Sequence, residues 1–325
     1  MDLPLARGYA IRSARPEDVG AVHDLTAASD LHDFGVAEGY SVEELHDEWS
    51  GLEMDRDTWA VEAPDGQLVG YACIRDRRHV RLDVEGYVHP EHLGMGIGTS
   101  LIRASEGRAS EHLSLAPDGV RVMLHNWING RNAGACALLE REGYAPVRYF
   151  LRMEMPLDGS EPAPAWPEGV SARAFEPGKD ERRFYDAAEE AMADHWGHVP
   201  LDFDDWARRR MGETFDPTLW FVAEADGDPA GVMLGSVAES IGWVDTLGVR
   251  RPWRRRGLGM ALLRQAMTTF RERGLERMAL GVDAASPTGA TRLYERAGMH
   301  EAQRHATYGK VLREGRELTD EEHRE

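Results

Sequence analysis

Cysteine is nearly absent from this 325-residue chain, which contains only Cys73 and Cys136. Two cysteines are too few for a disulfide framework or a zinc–thiolate cluster, so we expect a reducing compartment, the cytoplasm. No run approaches the ~20 apolar residues that span a bilayer. The first residues, MDLPLARGYAIR, also lack the basic-then-apolar pattern of an export signal. The sequence therefore predicts a cytoplasmic protein with no membrane partner.

Positive charge is also scarce, since 38 Lys and Arg residues oppose 57 Asp and Glu residues, for a formal charge of −19. Phosphate attraction dominates nucleic-acid affinity, so such an acidic chain argues against nucleic-acid binding. The charge is compatible with a cationic small molecule. Length and a hydrophobic fraction of 42 % suit two globular domains of ordinary size.

The chain contains a long internal repeat. TWAVEAPDGQLVGY (58–71) matches LWFVAEADGDPAGV (219–232), and YVHPEHLGMGIG (87–98) matches GVRRPWRRRGLG (248–259). Both pairs are offset by 161 residues, and LLEREGY (138–144) later matches LYERAGM (293–299). A constant offset over such a distance indicates duplication of one domain.

The repeat defines the predicted domains. An N-terminal copy covers 1–157, a Pro- and Gly-rich linker covers 158–169, a C-terminal copy covers 170–313, and a charged, frayed tail covers 314–325. Each copy alternates strands with amphipathic helices, which predicts a mixed α/β domain in duplicate.

Five arginines cluster just ahead of two glycines in VRRPWRRRGLGMALL, between a predicted strand and a predicted helix. Free N–H groups at a helix start, together with the helix dipole, favour an anion there. Gly257 and Gly259 would allow close approach to the main chain. The segment therefore predicts a phosphate-binding loop; a solvated arginine face and a nucleic-acid contact are the alternatives.

Two motifs resemble those of the GNAT superfamily of N-acetyltransferases. Val249-RRPW-Arg254-RR-Gly257-L-Gly259 resembles its acyl-CoA loop, V-x-x-x-x-R-x-x-G-x-G, and SPTGATRLYERAGM (286–299) resembles its second signature. The resemblance covers both halves and is closest to tandem GNAT proteins of the mycothiol synthase kind. It implies an α/β fold with two tandem GNAT domains, each a mixed, mostly antiparallel sheet flanked by helices, and acetyl-CoA as cofactor.

The resemblance also implies which residues bind acetyl-CoA. In the second copy they are Leu247, Gly248, Val249, Arg254, Arg255, Arg256, Gly257, Leu258, Gly259, Met260 and Ser286. In the first copy they are Gly86, Tyr87, Val88, Gly94, Met95, Gly96, Ile97, Gly98, Thr99 and Asn132.

The two copies differ at the positions that matter for chemistry. In GNAT enzymes a tyrosine of the second motif commonly protonates the leaving thiolate, and that position here is Tyr294. Its equivalent in the first copy is Leu139, and Leu93 replaces Arg254. We expect the second copy to be catalytic and the first to be degenerate, either binding acyl-CoA without turnover or acting as scaffold. A core-packing role for Tyr294 is the alternative.

The general base and the acceptor site are less clearly marked. Asp245, which shares strand parity with Leu247 and Val249, and Glu239 are the candidate proton acceptors, with water as the alternative. His195 and Trp196 are the candidate substrate residues. His195 and His198 lack an evident third ligand, so no metal site is expected.

The predicted function is an acetyl-CoA-dependent N-acetyltransferase acting on the primary amine of a small molecule. Attack would be direct, in a ternary complex, because neither cysteine belongs to a nucleophile motif. The alternatives are a non-catalytic acyl-CoA sensor and a protein or peptide N-acetyltransferase. The oligomeric state is not indicated by the sequence.

Overall fold

The computed structural model describes residues 4–35, 41–196, 198–212, 214–238 and 240–317. They form two compact units, one from the described residues of 1–149 and 304–325 and the other from those of 150–303. Each unit is a mixed sheet with helices, as the predicted α/β class requires. No helix in the described ranges is long and apolar enough to cross a membrane.

The first unit has the strand order β1-β2-β3-β4-β5-β12. Its neighbours pair antiparallel except for β4 and β5, which are parallel. The strands are β1 (Ala10–Arg12), β2 (Thr58–Glu62), β3 (Leu68–Arg77), β4 (Arg81–Val88), β5 (Val122–Asn129) and most of β12 (His300–Arg313). The helices are α1 (Val19–Phe34), α2 (Val42–Trp49), α3 (Met54–Asp57), α4 (Ile97–His112) and α5 (Ala133–Arg141).

The second unit repeats this plan with the order β6-β11-β10-β9-β8-β7, in which β10 and β11 are the parallel pair. The strands are β6 (Ala145–Pro156), β7 (Val170–Ala174), β8 (Phe221–Ala225), β9 (Asp228–Ala238), β10 (Ile241–Val249) and β11 (Arg277–Asp283). The helices are α6 (Glu181–Met192), α7 (Phe203–Arg210), α8 (Leu258–Glu272) and α9 (Ala290–Arg296).

The division into units differs from the linear boundaries expected at 157 and 170. The last strand of each half belongs to the sheet of the other unit. Phe150–Pro156 of β6 pairs with β11, and His305–Arg313 of β12 pairs with β5. Part of the expected tail is also ordered, because Arg316 forms a bridge with Val120, while residues 318–325 lie outside the described ranges.

The apolar stripe of α8 forms much of the second core, as its helical spacing predicts. Leu262, Leu263, Ala266, Met267 and Phe270 are all buried. The ring of Phe270 packs against the main chain of Gly242 on β10, where a Cβ atom would overlap it. The position therefore requires glycine for close packing of helix on sheet.

Gly242→Ala should destabilise the protein by about 1–3 kcal/mol, because overpacking forces the Phe270 ring off its position. Gly281→Ala is the matched control on the next strand, since a Cβ there meets no described atom within 4 Å. Urea unfolding of both variants tests this, and equal midpoints would contradict the packing argument.

Candidate active site

A cleft opens between the two parallel strands of the second unit. β10 and β11 pair over only four residues, from Ile241 with Arg277 to Val244 with Leu280. Beyond that point β10 continues beside β9 to Val249, and β11 continues beside β6 to Asp283. The edge of β10 that faces the cleft therefore has main-chain groups with no partner from β11.

A β-bulge marks the point where the strands part. The register of β10 against β9 shifts between Val244 and Thr246, which makes Asp245 the extra residue. A bulge re-aims the side chains that follow it. The strand parity that the sequence assigned to Asp245, Leu247 and Val249 assumed uninterrupted alternation, and the bulge breaks that alternation at Asp245. Asp245 itself is exposed at the bulge.

β10 leads into the predicted phosphate loop, and Arg254 connects this loop by hydrogen bonds to the end of β10 and the end of α6. The Arg254 guanidinium donates to the carbonyl oxygens of Val249 and Ala191 and to Asp194 at the end of α6. Arg251 donates to the same carboxylate. Together Arg251 and Arg254 lower the pKa of Asp194 to about 2. Arg254 thus braces the loop, and each of its three guanidinium nitrogens donates to a protein oxygen.

The next two arginines have no such anchors. Neither Arg255 nor Arg256 forms an ion pair with a described residue, and Arg256 lies 4.8 Å from the Trp253 ring centroid. Arg255 and Gly257 have positive φ values of 63° and 88°. A Cβ on Gly257 would meet no described atom within 4 Å. The start of α8 therefore offers open main-chain N–H groups beside two uncommitted cations, which fits a diphosphate.

The separate sequence motifs meet at Gly259. A Cβ atom added to Gly259 would lie 3.3 Å from Cδ2 of Leu293 on α9, and 3.8 Å from both Cδ2 of Leu247 and Cγ2 of Val249. The loop, the end of β10 and the second motif are thus in contact. A side chain at this position would press on Leu293 of α9.

Tyr294 follows Leu293 on α9 and is 7 % exposed within the core of the second unit. Its hydroxyl has no hydrogen-bond partner among the described residues. Burial raises the pKa of Tyr294 to about 12, so the phenol stays protonated at neutral pH. The core-packing alternative explains the buried ring, but it leaves the hydroxyl without a partner.

The predicted acceptor residues lie beyond the end of α6. The Trp196 ring centroid is 6.3 Å from that of Phe150, which is the β6 partner of Asp283 in the sheet. Burial lowers the pKa of His195, and the nearby Asp283 carboxylate opposes that shift. His195 and Trp196 therefore lie close to the end of β11, on the side where the cleft opens.

Sequence reasoning missed two charged residues on this part of the sheet. Asp283 is 3 % exposed, and its carboxylate accepts from the N–H of Ala285. Arg152 is 7 % exposed, and its guanidinium lies 4.6 Å from the Trp243 ring centroid. The signal for Asp283 was an acidic residue ending an apolar strand, whereas Arg152 could not be found because β6 belongs to the other half of the chain.

Two further residues were predicted from the sequence, Ser286 as a cofactor-binding residue and Glu239 as a base. Ser286 lies in the turn before α9, where its Oγ is 2.9 Å from that of Thr288. Glu239, a candidate base, lies outside the described residues.

The first unit repeats the loop backbone with different side chains. Leu93 (φ −63°, ψ 148°) matches Arg254 (φ −66°, ψ 155°) in conformation, but its apolar side chain cannot form the brace and is 53 % exposed. α4 begins after Gly96 at φ 79°, as α8 does after Gly257. The remaining predicted first-copy residues, Gly86, Tyr87, Val88, Gly94, Met95, Ile97, Gly98 and Thr99, lie at the end of β4 and the start of α4.

The chain's own N-terminal segment lies against this first loop. The Ala6 N–H donates to the carbonyl of Met95, and the carbonyl oxygen of Pro4 occupies the space of a Cβ on Gly96. Leu139, the counterpart of Tyr294, is buried at 2 % exposure. Asn132 caps α5 by accepting from the Ala135 N–H and donates to Asp33. The first copy therefore lacks the open loop, the brace and the phenol.

Comparison with known proteins agrees with this duplicated architecture. The acetyltransferase (GNAT) family matches residues 19–144 and 181–299. A mycothiol acetyltransferase of Nocardiopsis dassonvillei is 33 % identical over 264 residues, or 72 % of this chain and 76 % of that protein. A mycothiol acetyltransferase of Thermobispora bispora is 37 % identical over 65 % of this chain and 70 % of its own.

Solved structures show the same arrangement. A GCN5-related N-acetyltransferase from Sphaerobacter thermophilus is 40 % identical, with a TM-score of 0.83 over 97 % of this chain and 99 % of its own. A tandem GNAT protein from the clavulanic acid biosynthesis pathway shares the fold at 17 % identity, with a TM-score of 0.70 over 93 % of this chain and 98 % of its own. The expected fold, enzyme class and acetyl-CoA cofactor are confirmed. The chain belongs to the GNAT acetyltransferase family, and it is a tandem member of it that uses acetyl-CoA.

Proposed function

We propose that the second unit moves the acetyl group of acetyl-CoA to the primary amine of a small molecule by direct attack in a ternary complex. The observation that carries this proposal is the meeting at Gly259 of the loop, the end of β10 and α9, the helix that also bears the buried Tyr294. The first unit is then a structural copy without turnover.

Two parts of the protein bind two parts of the cofactor in this proposal: the start of α8 binds the diphosphate, and the edge of β10 binds the pantetheine arm. The diphosphate takes the main-chain N–H groups from Gly257 to Met260, with Leu258 at the first helical position, and the side chains of Arg255 and Arg256. The pantetheine amides pair with the open edge of β10 from Leu247 through Gly248 to Val249. Arg254 acts through the loop, because its own donors are engaged by protein oxygens.

Acetyl-CoA supplies a thioester whose sulfur leaves as a thiolate. A main-chain N–H at the open edge of β10 polarises the thioester carbonyl. The Tyr294 phenol holds the proton that the sulfur needs on leaving. The attacking amine must be neutral, and Asp245 at the bulge takes its proton directly or through water.

The acceptor occupies the cleft on the side of His195 and Trp196. Charged and aromatic side chains together, Asp283 and Arg152 with Trp243, favour a compact polar amine over a long apolar one. Two relatives are mycothiol acetyltransferases, so the amine that becomes acetylated in mycothiol is the first acceptor to test. A thiol-release assay with a panel of primary amines, including mycothiol lacking its acetyl group, tests the proposal. Release of CoA with no amine of the panel would favour the sensor alternative.

Tyr294→Phe should lower kcat about 10²-fold or more while leaving KM for acetyl-CoA nearly unchanged, because the phenol acts on the leaving group. Since the folded pKa is about 12, the wild-type donor is protonated throughout the usual assay range. Tyr144→Phe, at a buried tyrosine of the first unit, is the control and should keep wild-type turnover. Unchanged turnover of Tyr294→Phe at every pH would remove the acid assignment.

Native mass spectrometry should count one CoA per chain, because the segment at Pro4 lies against the first loop. Gly257→Val should abolish that binding by filling the start of α8. Gly227→Val is the control for backbone strain, since Gly227 has a φ of 84° in the same unit and no described atom within 4 Å of its Cβ position. Two CoA molecules per chain would show that the first loop binds as well.

Substitution of Arg256 should change the affinity for CoA, whereas substitution of Arg254 should change the thermal stability. Arg256→Gln should raise the Kd for CoA about 3–10-fold at low salt, less at high salt, with an unchanged Tm. Arg254→Gln should lower the Tm at neutral pH. The Asp194 pair stabilises above the unfolded pKa of 3.8, and this contribution is lost as the pH falls towards 2. The Tm difference between Arg254→Gln and wild type should therefore shrink at acid pH, and a Tm loss for Arg256→Gln alone would reverse the two roles.

A further inference from the structure

A cluster of metal-ligating side chains lies in the first unit, away from the acyl-CoA loop. Asp76 is near the end of β3, His79 is in the turn before β4, and His112 is the last residue of α4. α4 begins at the loop and has 16 residues, which span about 24 Å. The cluster therefore lies at the opposite end of the helix from the loop.

Three potential ligand atoms converge in this cluster. Nδ1 of His79 lies 2.8 Å from Nδ1 of His112 and 2.8 Å from Oδ2 of Asp76. Nδ1 of His112 lies 3.7 Å from the same carboxylate oxygen. These separations allow a point about 2 Å from all three atoms, the distance of Zn²⁺ from imidazole nitrogen and carboxylate oxygen.

Hydrogen bonding alone does not satisfy this arrangement. A proton on Nδ1 of His112 that points at His79 takes up the single lone pair of His79 Nδ1, and it leaves that nitrogen 2.8 Å from Oδ2 of Asp76 with no proton between them. A proton on Nδ1 of His79 must be shared between two acceptors in different directions. Protonation of both nitrogens brings two N–H groups together at 2.8 Å. One shared cation removes the conflict, because all three atoms can then present lone pairs to it.

We propose that Asp76, His79 and His112 bind one divalent transition-metal ion of the Zn²⁺ class. Two imidazoles and one carboxylate form the protein ligand set, and water completes the coordination. The ion joins the β3–β4 turn to the end of α4. This site is independent of acetyl transfer.

The chain holds the three ligands in place before any ion arrives. Oδ1 of Asp76 accepts from the His79 N–H, which turns the other oxygen towards the rings. His112 is 4 % exposed, which limits the movement of its ring. The nearby Arg108 is engaged by Asp57 and Glu111, so its charge is largely balanced. His79 has a φ of 60°, a backbone conformation that few residues other than glycine, asparagine and aspartate adopt.

The test uses two substitutions that preserve the local backbone. His79→Asn keeps a residue that tolerates positive φ but removes the imidazole. Asp76→Asn keeps an acceptor for the His79 N–H but removes the charge. His46→Gln, at an exposed histidine of α2, is the control for unspecific uptake.

The full-length chain is freed of metal with chelator, dialysed against Zn²⁺ alone, and analysed for bound zinc and Tm. Wild type and His46→Gln should each hold one ion more than His79→Asn and Asp76→Asn, with a Tm increase of several degrees that the two variants lose. Co²⁺ in place of Zn²⁺ should give visible absorption that His79→Asn lacks. All variants should keep wild-type acetyl transfer. Equal zinc content in wild type, His79→Asn and Asp76→Asn would overturn the proposal and leave a hydrogen-bonded histidine pair only.

Discussion

The early end of the β10–β11 ladder is the constraint on which the second unit depends. Four parallel residue pairs hold the strands together, and the bulge at Asp245 then turns β10 away. This leaves one strand edge open within an otherwise continuous sheet. An open edge is normally a liability, because it can recruit any extended chain. Here it leads into the loop before α8, whose first turn has open N–H groups, and an extended amide-bearing cofactor suits it.

The arginines of the loop differ in their partners, although they carry the same charge. Arg250 is bound to Glu190 of α6, and Arg251 and Arg254 are bound to Asp194, two residues after the end of that helix. They connect the loop to the end of α6, which precedes the proposed acceptor residues His195 and Trp196. Only the last two arginines of the run are left for an anion. The acidic composition of the protein is therefore part of the loop's construction, because its carboxylates fix the conformation from which Arg255 and Arg256 project.

Much of this could be predicted from the sequence, and the failures have a common physical origin. Glycine spacing, helical periodicity and the repeat predicted the loop, α8 and the two-copy α/β fold, because each is a local pattern or a direct comparison of the halves. The bulge at Asp245 was missed because strand alternation was assumed to be uninterrupted. Arg152 and the Asp76–His79–His112 cluster depend on contacts between residues distant in sequence, to which no local pattern points. The proposed roles of Tyr294 and the loop residues come from a motif resemblance, and the geometry around Gly259 supports them.

The exchange of final strands makes the sheet of each unit depend on a segment from the other half of the chain. β6 is encoded by the first half, yet residues from Phe150 onward form an edge-to-edge ladder with β11 of the second unit. A gene shortened to the second half would lose that strand and expose the side of β11 next to the cleft. Selection on the sheet of the second unit therefore acts on β6, although the first half of the chain encodes that strand. Substitutions in the first half that displace β6 should destabilise the second unit as well.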